Sequence, residues 1–333
     1  MLGVEVELFD DLDAAAADAR GALDREAREL PFDRLSWYRL VACHCPPPGR
    51  LIVARGVRSH RKGWLFLAVE PGRARAWTSW YSLRWGLVGE TGVMAAIAAA
   101  LRIGGITRAD FAPVADTGPL RAGFREAGWI TFLTPATASW QVATAGQDFA
   151  AYWARRPGKL RSTAERKARA AGLDVRILTE FDPEAWEEYR AVYEASWKPE
   201  EGSFAFLRAF AEEEGAAGTL RLGIARKDGA PVAAQLWTVD NGTAWIHKLA
   251  YAESARALSP GTILSMEMFR HVLDRDRVAR IDYGTGDEPY KADWMEERYT
   301  LWRVTAFDPR SLSGLAGAAR AAASALVRRA TSR

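Results

Sequence analysis

At 333 residues and 49% hydrophobic, the chain has material for two ordinary domains or one large one, and its composition is far from that of a disordered segment. A formal net charge of +3 admits an anionic ligand without demanding nucleic acid. Two cysteines exclude a disulfide framework, and no apolar run is long enough to span a bilayer.

The first seven residues, Met1 to Glu7, are acidic and lack an apolar stretch, so no signal peptide is expected and the reading is cytoplasmic. Trp37 and Tyr38 form a small aromatic group. Cys43-His44-Cys45 reads as part of a strand, with both cysteines on one face packing as buried small hydrophobes. Three adjacent residues do not make a tetrahedral site, so no metal is expected. Trp64–Val69 reads as a strand and Trp77–Val88 as a further extended segment. The latter carries Trp77, Trp80, Tyr81 and Trp85, which fill a core or line a groove. Gly89-Glu90-Thr91-Gly92 is a loop in which Thr91 can cap a helix over Val93–Leu101, stopped by Gly104-Gly105. Ile106–Val114 is a strand, and Gly118–Ala127 a helix closed by Gly128.

Arg155–Ala171 is a basic helical stretch with Arg155, Arg156, Lys159, Arg161, Arg166, Lys167 and Arg169. It is either an anion-binding face or a solvated helix surface, the second being favoured. Beyond it, Leu220–Arg226 and Val232–Val239 are strands joined by the hairpin signal Asp228-Gly229. Asn241-Gly242 introduces a third strand, Thr243–Tyr251. A loop ending Ser259-Pro260-Gly261-Thr262 leads into a helix over Ile263–Leu273, then a strand from Arg280 to Tyr283. Strand, glycine loop, helix and strand thus occur twice. The tail from Ser311 reads as an Ala-rich helix with Arg320, Arg328 and Arg329.

The second glycine loop lies directly between a strand and a helix. Gly261 removes a side chain where a ligand would approach the backbone, and Ser259 or Thr262 can cap the helix. The free N–H groups of the first helical turn then make an anion site without any lysine. Neither G-x-x-x-x-G-K-[ST] nor a post-strand G-x-G-x-x-G is present, so a P-loop or Rossmann nucleotide site is not supported. Strict alternation on Thr243–Tyr251 puts Trp245, His247, Leu249 and Tyr251 on one face and Ile246, Lys248 and Ala250 on the other. After the helix, Asp282, Asp287, Glu288, Tyr290 and Lys291 follow a strand's carboxyl end in a Gly-rich loop, where α/β sites collect.

Lys248-Leu-Ala-Tyr251, Leu258-Ser-Pro-Gly-Thr262 and Ile281-Asp-Tyr-Gly-Thr-Gly-Asp-Glu-Pro-Tyr-Lys291 resemble the GNAT-superfamily acyltransferases of the CelD-like type, related to the Fem peptidyltransferases. Arg156-Pro-Gly-Lys-Leu-Arg-Ser-Thr163 with Arg166-Lys167, and Pro231-Val-Ala-Ala-Gln-Leu-Trp237, resemble the same family. These pieces cover roughly residues 150–300. The resemblance implies an α/β (α+β) fold of two tandem GNAT-like domains, each a mixed, mostly antiparallel sheet flanked by helices. It divides the chain into a degenerate, acceptor-side unit over 1–145, an acyltransferase domain over 146–310 and a helical tail over 311–333. It implies acetyl-CoA or another acyl-CoA as donor, held by Leu249, Tyr251, Ser259, Gly261 and Thr262, and a small-molecule or glycan amine as acceptor in cell-envelope or polysaccharide metabolism. The donor loop departs from the superfamily pattern Gln/Arg-x-x-Gly-x-Gly/Ala in having Pro260-Gly261.

N-acylation needs a neutral amine, a polarised carbonyl and a proton for the leaving thiolate. No nucleophile motif is present, so direct attack is expected. Asp287, Glu288 and His247 are candidate bases, Tyr290 a proton donor to the thiolate, and Lys291 a stabiliser of the oxyanion or of an anionic acceptor. Asp282 instead organises the loop. Two other functions stay open: a Fem-like transferase using charged tRNA, the less favoured partner, and a non-catalytic module in polysaccharide assembly.

Overall fold

The computed structural model describes residues 3–331, and side chains as far as 327. Met1 and Leu2 of the acidic start, and the side chains of Arg328 and Arg329 in the tail, lie outside the described residues. The chain forms two compact units, Met1–Thr137 with Thr300–Arg333, and Ala138–Tyr299.

The first unit begins with β1 (Glu5–Phe9) and α1 (Leu12–Ala19), whose N-terminus is capped by Asp11. Helix α2 (Leu35–His44) follows. It corrects the strand reading at Cys43: the apolar positions Leu35, Trp37, Tyr38 and Val41 recur at helical spacing and are buried, and Cys43 is exposed. Strands β2 (Arg50–Arg58), β3 (Arg61–Glu70) and β4 (Arg73–Ala76) form an antiparallel meander beside β1. The extended reading of Trp77–Val88 ends here. Residues 77–87 form a loop with Trp77, Tyr81 and Trp85 buried and Trp80 exposed, leaving β5 (Val88–Gly89) as a short bridge to β3. Glu90, not Thr91, caps the following turn by accepting the Gly92 N–H at 3.0 Å. Helix α3 (Met94–Ile103) leads to β6 (Arg108–Val114) and α4 (Gly118–Glu126).

The unit boundary falls within β7 (Ile130–Ala143). The second unit then has α5 (Phe149–Ala154), α6 (Gly158–Ala171), β8 (Asp174–Leu178), α7 (Pro183–Glu194) and α8 (Phe204–Ala216). Asp182 and Ser203 cap α7 and α8. Strands β9 (Leu220–Lys227), β10 (Ala230–Asp240) and β11 (Thr243–Tyr251) are joined by hairpins at Asp228-Gly229 and Asn241-Gly242. All four turn residues have positive φ, the backbone that a two-residue hairpin of matching twist requires. Helix α9 (Pro260–Asp274), β12 (Arg280–Thr285), the single turn α10 (Lys291–Trp294), β13 (Glu297–Phe307) and α11 (Leu312–Thr331) complete the chain.

One topology occurs in both units. In the first, the order β1-β2-β3-β4 is antiparallel, and β4 then pairs in parallel with β6 over Arg73–Arg75 and Arg108–Asp110. In the second, β8-β9-β10-β11 is antiparallel, and β11 pairs in parallel with β12 over Thr243–Trp245 and Arg280–Asp282. The crossover is α3 in one and α9 in the other. The same mixed, mostly antiparallel, GNAT-like strand arrangement flanked by helices therefore occurs in both units.

The second unit's main core lies between the sheet and α9, with α5 and α6 beside it. Phe269 of α9 meets Tyr152, Trp237 and Trp294 at ring separations of 5.2, 5.3 and 4.8 Å. Close approach of α9 depends on Gly223 of β9, where a Cβ would come within 2.6 Å of Met268 Sδ. Helices α7 and α8 cover the opposite face.

Candidate active site

The site is built by a bulge in β11. Leu236 of β10 pairs with Lys248 but Trp237 pairs with Ile246, so His247 is an extra residue. Before the bulge, Ala244 and Ile246 face α9; after it, Leu249 and Tyr251 do. His247 and Lys248 both turn to the α7/α8 face, where His247 meets Phe210 and Lys248 lies 5.8 Å from the Tyr193 ring. This corrects the strict alternation expected from sequence: Trp245 and His247 do not share a face with Leu249 and Tyr251. Parallel pairing of β11 with β12 also stops at Trp245 and Asp282, immediately before the bulge. The two strands part beyond that point.

The N-terminus of α9 stands beside Tyr251. A Cβ on Gly261 would come within 3.1 Å of Tyr251 Cδ1, so the ring lies over the glycine backbone. Ser259 is left-handed, at φ 56°, and its side chain makes no cap; Pro260 supplies no N–H. Capping by Ser259 is thereby corrected. The amides of Gly261 and Thr262 belong to the first turn of the helix, where no carbonyl precedes them within it.

A polar network runs from this turn to the Gly286–Lys291 segment. Gln235 Nε2 donates to Gly261 O at 3.2 Å and to Ser265 Oγ at 2.8 Å, while its Oε1 accepts from Trp237 Nε1 at 3.0 Å. Tyr283 is hydrogen-bonded to Ser265 and to Tyr290. Burial, then the Glu288 carboxylate, push the Tyr290 hydroxyl up to about 12, so it keeps its proton at neutral pH. Lys291 is 4% exposed; its Nζ donates to Thr285 O at 2.7 Å and pairs with Glu288 at 3.0 Å. On Glu288, burial works upward, but the Lys291 hydrogen bond and nearby lysines outweigh it and hold the carboxyl below its ordinary range. Asp282 sits under the loop, 1% exposed, accepting from Gly284 N at 2.9 Å and Tyr299 OH at 2.8 Å. It organises the loop, as the sequence suggested.

Tyr251, Gly261, Thr262, Tyr290 and Lys291 are thus joined around one strand opening, with Leu249 packed on the core beside them. Asp287 is engaged elsewhere: it is bridged by Arg298 at 2.7 and 2.8 Å and accepts from Trp140 Nε1 at 3.3 Å. The Arg298 hydrogen bond holds its carboxyl low. His247 Nε2 is 2.9 Å from Thr238 Oγ1, and burial, then Lys248, drive its pKa down to about 3. It is a neutral imidazole in the sheet.

Sequence reading missed Gln235, Ser265, Tyr283, Lys198 and Glu201 as site residues. Gln235 left a trace, a polar amide within the apolar run Val232–Trp237. Lys198 and Glu201 left none: they stand in the aperiodic segment Ser196–Gly202, and only the bulge at Lys248 brings β11 to them.

Residues 154–292 match the family model described as an acetyltransferase (GNAT) domain. Solved structures share the fold over most of the chain. FemX is 9% identical, with a TM-score of 0.56 over 80% of this chain and 94% of its own. L-PGS from Bacillus licheniformis is 14% identical, with a TM-score of 0.54 over 90% and 92%. A tandem GNAT protein from the clavulanic acid biosynthesis pathway is 16% identical, with a TM-score of 0.52 over 92% and 99%. No curated protein matches the chain. The chain has a GNAT-like, Fem-related fold, and its second unit carries the acetyltransferase-domain match. No helix among the described residues is long and apolar enough to cross a membrane, and no cluster of three or more metal-ligating side chains is found among them.

Proposed function

We propose that this chain is an N-acyltransferase that moves an acyl group, acetyl in the simplest case, from acyl-CoA to an amine. The observation that carries this reading is the opening between β11 and β12, placed by the bulge beside the N-terminus of α9 within the family-matched segment. The Gly261 and Thr262 amides, with the dipole of a 15-residue helix behind them, suit the donor's pyrophosphate. Leu249 and Tyr251 border its thioester arm. The amine attacks the thioester carbonyl, the C–N bond forms as the C–S bond breaks, Tyr290 gives its proton to the departing thiolate, and the proton shed by the amine nitrogen returns through water to the Tyr290 oxygen. Lys291, held by Thr285 O and Glu288, fixes the loop that carries Tyr290 and adds positive charge beside it.

We infer that the first unit holds no donor. Its corresponding opening, between β4 and β6, is filled by the chain itself: Trp85 donates its backbone N–H to Pro113 O at 2.8 Å and stacks on Phe111 at 4.9 Å. That unit is a degenerate copy with no room for a donor.

Isothermal titration with acetyl-CoA and longer acyl-CoAs tests the reading; no binding to any CoA species sinks it. One observation favours a second reading, aminoacyl transfer from charged tRNA: Pro260-Gly261 replaces the usual glycine pattern of CoA loops. Charged tRNA would then bind with a steep salt dependence through the exposed bases of α6. Salt-insensitive binding argues against it.

A further inference from the structure

Five charged side chains from three separate segments gather on the α7/α8 face of β11. Lys198 and Glu201 come from the segment between α7 and α8, Lys248 from the bulge, and Glu288 and Lys291 from the loop after β12. Four of them pair off: Lys248 with Glu201 at 2.8 Å, and Lys291 with Glu288 at 3.0 Å. Lys198 is left over. Among the described residues no carboxylate stands at ion-pair distance from it, and its Nζ lies 5.8 Å from the Tyr193 ring. Burial drives its pKa down to about 8, with Lys248 and Lys291 adding to the fall and Glu201 and Glu288 opposing it. Three lysines against two glutamates leave one positive charge in excess, on a half-buried side chain. A cation taken partly out of water without a counter-ion carries a desolvation cost that an arriving anion offsets. The position ties this charge to the donor opening. Trp197, one residue away and 51% exposed, packs on Tyr251 with ring centres 4.3 Å apart and planes tilted by 41°.

We propose that Lys198 is the anion anchor of the acceptor subsite, and that the acceptor is an amine bearing its own carboxylate or phosphate group. This rests on the acyl-transfer reading above. Lys248-Glu201 and Lys291-Glu288 frame the subsite as neutral pairs, so a single anionic charge on the ligand balances it.

The test compares matched acceptors with acetyl-CoA as donor: glucosamine against glucosamine 6-phosphate, and an amino acid against its amide. Wild type should prefer one anionic member by about tenfold or more in kcat/KM, the size of a charge-assisted hydrogen bond, and which one distinguishes phosphate from carboxylate. Lys198→Met should bring the ratio close to one, chiefly through KM, and Lys198→Arg should keep it. A second measurement needs no donor. Lysine labelling by an acetyl N-hydroxysuccinimide ester at pH 8, mapped by mass spectrometry, should slow several-fold at Lys198 with phosphate or succinate but not at exposed Lys159. Transfer without anion preference, together with unprotected Lys198, overturns the anchor. Protection of Lys198 with no transfer to any amine supports the anchor and counts against the transferase reading.

Discussion

Tyr290 and His247 show how one fold gives two titratable residues opposite uses. Tyr290 is half-exposed at the end of a buried hydrogen-bonded chain, and in the proposed reaction its raised pKa keeps a proton ready for a leaving thiolate. Tyr290→Phe removes that proton and little else, so kcat should fall by roughly 10²–10⁴, the range for a positioned general acid, with KM nearly unchanged. A variant with wild-type kcat would remove Tyr290 from the mechanism. His247 has a consequence for stability. In the unfolded chain its imidazole takes a proton near 6.5; in the folded chain burial delays this to about 3. Between those values the unfolded state binds more protons, so stability falls as pH falls through the window. From pH 7 to pH 5 the loss should be about 2 kcal/mol. His247→Gln, which can still bond Thr238, should flatten that slope in urea titrations; parallel slopes would place the acid sensitivity elsewhere. Asp282 supports the same loop from below. Asp282→Ala strands the Gly284 amide and Tyr299 hydroxyl and should cost about 2–4 kcal/mol of unfolding free energy. A loss under 0.5 kcal/mol would show that water replaces the carboxylate.

At the scale of elements, the basic stretch after the first unit separates into two populations that composition alone merges. Arg156 is buried, donating to Trp294 O at 3.0 Å and pairing with Glu296, with its guanidinium 4.6 Å from the Tyr152 ring. Lys159 and Arg166 are exposed on α6. Arg156→Ala should therefore cost about 3 kcal/mol, while Lys159→Ala and Arg166→Ala stay within about 0.5 kcal/mol of wild type. Equal small effects at all three would mean that the Trp294 carbonyl is satisfied without Arg156. The same contrast explains what was legible in the sequence. Thr243–Tyr251 and both hairpins could be read because apolar runs and Asn-Gly or Asp-Gly turns are local signals. The bulge could not, because one extra residue in a strand leaves no compositional mark and is fixed by pairing with β10. Cys43-His44-Cys45 misled because three alternating residues imitate a strand, whereas the helix is written over the ten residues from Leu35. The loop from Gly284 to Lys291 was legible through kinship; the Lys198 cluster was not, since it joins residues 50 and 90 positions apart.

At the scale of the whole molecule, two copies of one topology raise the question of why a single site is proposed. Each unit has the three-residue parallel pairing, and in each a helix lies in the crossover between the paired strands. What differs is the filling. In the first unit the loop after β4 carries the buried rings of Trp77, Tyr81 and Trp85, with Trp85 bonded to Phe66 O and Pro113 O. Those rings would have to leave a packed core for a ligand to enter, at a cost of several kcal/mol each. In the second unit the loop after β11 turns away through residues 253–258, and the opening is bordered by polar groups and by Tyr251. Acyl-CoA should therefore bind with a stoichiometry of one per chain. Hydrogen exchange should slow on binding over residues 247–265 and 283–291, with residues 73–110 unchanged. A stoichiometry of two, or protection around Trp85, would show that the first opening empties on demand and that both copies hold donor.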